Sequence, residues 1–140
     1  MNNLFRRLRN KGLLLLGLLG TTLAWAATPC EGVDRSLPND RKAALAPAIA
    51  KQLHSKRVDV LQSFRDGNWQ IIYVDTHDSD NGFLFYSHDP MRNHYVTVWG
   101  GVALGDEETE IRTWTLKNAP GIPLKLAKCF AWHVTNDRDR

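Results

Sequence analysis

Cysteine is scarce in this chain. There are two, Cys30 and Cys129, and no C-x-x-C spacing to support a thiolate metal site or a redox pair. There is no G-x-S-x-G elbow, no H-E-x-x-H and no glycine-rich phosphate loop, which removes the local signatures of a serine hydrolase, a zinc protease and a nucleotide enzyme. Ser63, Ser79 and Ser87 lack any neighbouring feature that would activate a nucleophile. No cofactor signature is present. Carboxylates that pair only in space leave no local motif, so these absences argue against an enzyme and do not settle the question.

Long apolar runs are lacking too. The longest, residues 13–23, is about half of the ~20 residues that span a bilayer. It follows Arg6, Arg7, Arg9 and Lys11 and ends in Ala24-Trp25-Ala26, a small-x-small site. Residues 1–26 therefore read as a secretory signal peptide rather than a retained anchor. Arg9 interrupts the apolar positions that should follow a twin-arginine pair, which favours Sec export. Thr28-Pro29 ahead of Cys30 does not suit lipid attachment. The expected location is the periplasm of a Gram-negative envelope, or outside the cell, with no membrane insertion after cleavage.

Basic charge is missing once the leader is gone. Losing its four basic residues takes the formal net charge from +3 to −1. That leaves no basic stripe, and nucleic-acid binding loses its electrostatic footing. The remaining length suits one compact domain and not two. In an oxidising compartment Cys30 and Cys129 are expected to form one disulfide joining the ends of the fold.

What the chain does have is an aromatic ribbon over residues 64–101. Alternating apolar runs there are broken by Asp66-Gly67, by Asp78-Ser79-Asp80-Asn81-Gly82 and by Asp89-Pro90, the pattern of successive antiparallel strands. If Asp66-Gly67 is the centre of a two-residue type I′ turn, Val58, Val60, Phe64, Trp69, Ile71 and Tyr73 share the core face. Leu61, Ser63, Gln70, Ile72 and Val74 take the other face. The second hairpin sets Phe83 and Phe85 beside Val96 and Val98, with Leu84, Tyr86, Tyr95, Thr97 and Trp99 opposite, so both of its faces are apolar. A sheet with one wet face alternates more cleanly.

Helices flank the ribbon. Pro38-Asn39-Asp40 opens the first, whose Leu45, Ile49 and Leu53 form an apolar stripe. Pro47 is expected to kink it or divide it into two pieces. Asp106-Glu107-Glu108 opens the second, which Ala119-Pro120-Gly121 ends. Pro123 begins the third, carrying Leu126, Ala127, Cys129, Phe130 and Val134. The expected fold is a single small α+β domain over residues 38–135: N-terminal helix, four-stranded antiparallel meander, two C-terminal helices and one disulfide. Residues 27–37 form an irregular arm and 136–140 a frayed tail.

Two clusters hold metal-ligand residue types. Asp78 and Asp80, with Asp106 to Glu108 at the same end of the sheet, offer oxygen ligands, but Gly82 falls one residue early for an EF-hand loop. At the other end stand His88, Asp89 and His94. A meander keeps His77 about 17 Å from them, so one three-histidine zinc site is excluded. Turn formation accounts for the same letters in both places.

The remaining signal is the second apolar face. Either a helix covers it, making ordinary core, or it is partly open and serves as an aromatic contact surface. On the latter reading the protein is a small exported binding protein that occludes a partner protein, of inhibitor or toxin-immunity type. Tyr86, Tyr95 and Trp99 are then the anchors, with His77 and Asp78 as rim contacts. The alternatives are a small periplasmic enzyme or metal-binding protein using His88, Asp89 and His94, and a small-molecule sensor with a pocket between helix and sheet.

Overall fold

A computed structural model describes residues 26–138. Its elements follow in the order α1 (Asn39–Gln52), β1 (Asp59–Asp66), β2 (Trp69–Asp75), β3 (Gly82–Tyr86), β4 (Thr97–Gly100), α2 (Glu108–Asn118) and α3 (Leu124–Asn136). All but the last residue of the expected leader lie outside the described residues. The four strands pair antiparallel in the order β1-β2-β3-β4, a meander. Cys30 and Cys129 form a disulfide that ties the N-terminal arm to α3. Among the described residues no helix is long and apolar enough to cross a membrane.

Helices cover the sheet on both sides, which explains why β3 does not alternate: all five of its residues are buried. Leu45 and Ile49 of α1, four apart on one stripe, pack on Val58, Val60, Ile72, Val74, Leu84 and Tyr86. On the other face Phe130, Leu126 and Val134 of α3, with Ile111 of α2, close over Phe64, Ile71, Tyr73, Phe83 and Phe85. The rings interlock edge to face, Phe130 lying 5.2 Å from Phe83 and 4.9 Å from Phe85 between centroids.

Several expectations are corrected. Helix α1 runs as one element through Pro47 and is not divided into two pieces. Pro47 and Ala43 are both exposed, so water can satisfy the Ala43 carbonyl that lacks its helical partner. The first hairpin turns on Gly67-Asn68 rather than Asp66-Gly67, because Asp66 pairs with Trp69. Gly67 has φ of +61° while Asn68 stays out of the left-handed region. That is the II′ pattern, which needs glycine only at the first central position.

The register of β1 shifts between Val60 and Gln62. The extra residue, Leu61, is a β-bulge, and it moves Val58 and Val60 to the α1 face while Phe64 keeps to the α3 face. The second hairpin is also out of the expected register: Phe83 faces Trp99, Leu84 faces Val98 and Phe85 faces Thr97. Trp99 thereby reaches Phe83 and Phe130, at 5.9 and 5.6 Å between centroids. Burying an indole there removes more apolar surface from water than a valine would.

Near the C-terminus, Asp137 lies 4.0 Å from Arg35, and Arg138 donates to the Gly101 carbonyl.

Candidate functional site

The three aromatic residues singled out as anchors do not share a surface. Tyr86 is fully buried beneath α1 and its hydroxyl donates to Gln52 Oε1 at 2.9 Å. Burial, with the Tyr95 phenol beside it, pushes the Tyr86 pKa well above its usual value. Tyr95 is half-buried against Tyr86, and the His94 ring lies 4.0 Å from its ring at a tilt of 42°. Trp99 belongs to the opposite face. The second apolar face is thus ordinary core along Leu84 and Tyr86, with Leu45 and Ile49 packed on Ile72 and Leu84, while a cleft of about 350 Å³ lies between α1 and the start of β1, lined by Asn39, Lys42, Ala43, Ala46, Val58, Asp59 and Val60.

The polar candidates are held in local networks. His77, at φ of +62°, sits with Nε2 2.8 Å from Asp59 and Nδ1 3.7 Å from Asp75. Asp78 accepts from Ser55 Oγ at 3.2 Å. At the other end of the sheet His88 Nδ1 meets Ser87 Oγ, His94 Nδ1 meets the Tyr95 carbonyl, and Asp89 accepts from Met91 N–H at 3.1 Å and from Arg41 at 3.3 Å. The Met91 amide and then Arg41 hold the Asp89 carboxyl below its usual pKa. Among the described residues no three His, Cys, Asp or Glu side chains gather where they could hold a metal ion.

The feature that local motifs did not reveal is the free edge of the sheet. Two strands are outermost, β1 and β4, and they are built differently. Strand β1 is blunted: Leu61 bulges, and the arm pairs with its far end, Asp34 N–H to Arg65 O at 2.9 Å and Arg65 N–H to Asp34 O at 2.8 Å. These are the usual devices against edge-to-edge pairing.

Strand β4 has none of them. Among the described residues its outer side bonds to no other backbone segment. Residues 96–105 contain no charged side chain. Val96, Val98, Val102 and Leu104 are 45, 40, 83 and 62% exposed. An uncharged, apolar, unpaired edge is a template for another strand. The sequence signal was the absence of charge over those ten residues, which strand propensity overlooks.

Behind this edge lies a groove of about 290 Å³ between β4 and the start of α2, lined by Trp99, Val102, Glu107, Glu110, Ile111 and Trp114. Gly101, at φ of +125°, turns the chain out of β4 so that it can wrap this groove. Glu107 ties the wrap down, its Oε2 accepting from Leu104 N–H at 2.7 Å. The acidic residues of the first turn of α2 are stabilised by the positive end of its dipole.

The chain matches no protein-family model, no curated protein and no solved structure.

Proposed function

We propose that this is an exported binding protein of a bacterial envelope that acts by stoichiometric occlusion, as inhibitors and toxin-immunity proteins do. It takes an extended segment of its partner along the outer edge of β4. The observation that carries this reading is the uncharged edge at Val96 to Val102, on a domain whose other edge strand is blunted. Main-chain hydrogen bonds supply affinity in such a complex, and alternate side chains supply specificity. The Cys30–Cys129 disulfide supports an oxidising compartment.

The anchors shift accordingly. Val98 and Trp99 are placed to meet a partner strand from its two sides, and Tyr95 borders the start of β4. Tyr86 supports the fold from beneath, while His77 and Asp78 sit in the β2–β3 turn beside Asn81, which precedes β3.

The test is capture from native envelope extract with the purified protein and with its Val98→Lys and Thr97→Pro variants. Unchanged circular dichroism should accompany loss of the captured partner in both variants. Retention of the same partner by both would overturn the reading.

A further inference from the structure

We infer that the partner segment bound at β4 carries a cationic side chain, a guanidinium or an ammonium, which enters the groove between β4 and α2. This deepens the edge-docking reading and rests on it. Four observations converge. The groove is walled by two indoles, Trp99 and Trp114, and by two carboxylates, Glu107 and Glu110. Neither carboxylate is in an ion pair among the described residues. Indole faces beside carboxylates attract cations, and guanidinium most readily because it also stacks.

A guanidinium already lies beside the same indole, on the side of the adjoining cleft that Arg138 lines with Gly101 and Val102. Arg138 Cζ stands 5.9 Å from the ring centroids of both Tyr73 and Trp99. Geometry supplies delivery: side chains of an added strand alternate between the faces of the sheet, and a residue on the Trp99 side points towards α2. A second copy pairing β4 with β4 is the weaker occupant, because residues 96–105 hold no cation to place in the groove.

The experiment titrates the protein with ethylguanidinium, and separately with neutral ethylurea, following the indole N–H signals assigned by Trp99→Phe and Trp114→Phe variants. Ethylguanidinium should shift Trp99 and Trp114 saturably and leave Trp69 and Trp132 in place. The Glu107→Gln/Glu110→Gln double variant should bind it about tenfold more weakly. Leu61→Gln, on the opposite edge strand, should bind it as the unaltered protein does.

An equal response to ethylurea, or undiminished binding in the double variant, overturns the inference while leaving edge docking to the capture test. A concentration-dependent dimer in sedimentation, abolished by Val98→Lys, assigns the edge to a second copy and also overturns it. If ethylguanidinium behaves as expected while both edge variants still capture the partner, the groove binds cations and edge docking is what fails.

Discussion

Val60 and Phe64 are four residues apart on β1 and pack on opposite faces of the sheet, Val60 under α1 and Phe64 under α3. An even spacing on a regular strand would leave both on one face. Leu61, the extra residue of the bulge, separates them. Each half of β1 thereby delivers its large side chains to the layer that has room for them.

Losing Leu61 should therefore be tolerated far better than losing a residue beyond the bulge. Without Leu61, Val60 and Phe64 stand three apart, and plain alternation keeps Val58 and Val60 under α1 and Phe64 under α3. Deleting Ser63 instead keeps the bulge but inverts the facing of every residue before it, driving Val58 and Val60 against α3, and the expected loss is about 4 kcal/mol or more, or failure to fold. Leu61→Gln, at an exposed position, should stay within about 0.5 kcal/mol. Urea unfolding followed by circular dichroism distinguishes the two deletions.

Just past the bulge, Gln62 Oε1 accepts from the Nε2–H of fully buried His133 at 2.8 Å. The imidazole is wedged against Phe64 and Phe83, at 4.7 and 6.2 Å between centroids. Gln62→Ala takes away a partner of a polar group inside an aromatic core, and should cost about 1–3 kcal/mol in urea unfolding. Gln62→Glu should restore most of that stability above neutral pH, since a carboxylate is an equally good acceptor.

Acid should weaken the fold through three carboxylates. Asp34 is held well below its usual pKa by hydrogen bonds from the Ser36 hydroxyl and amide and then from Arg65. Asp59 is lowered by Arg57 and then His77, and Asp89 by the Met91 amide and then Arg41. Their folded pKa values lie below the unfolded value of about 3.9. The stability they contribute is thus present above about pH 4 and is lost as pH falls through the folded values. All three are exposed enough for solvent and salt to screen them. The expected readout is a Tm decline below about pH 4 that is shallower in Asp34→Asn and in 0.5 M salt.

Reduction of Cys30–Cys129 releases a loop whose ends are 99 residues apart in sequence. In the chain-entropy account this removes up to about 4–5 kcal/mol. The Cys30→Ala/Cys129→Ala variant should show the lower urea midpoint even without reductant, and thiol should have no further effect on it.

Trp99→Ala should behave as a core substitution as well as a surface one. The indole lies against Phe83 and Phe130, and its removal should cost about 3 kcal/mol or more. Tyr86→Phe removes only the hydroxyl bond to Gln52 and should cost about 1 kcal/mol. Equal, near-zero effects of both on unfolding would contradict the packing described.

The sequence alone determined the element order, the meander and the pairing of Cys30 with Cys129. Apolar spacing in α1 and α3, turn residues between the strands, and a total of two cysteines are local or combinatorial signals. The facing of side chains was not legible. One bulge residue inverts the parity of half a strand, and the choice between Trp99 and Val98 for the α3 side is made by Phe130, more than thirty positions further along. Only the tertiary structure, likewise, decided which aromatic residues became core and which edge stayed open. Whether β4 is flanked depends on where every other segment ends up, and no window of sequence around it carries that information.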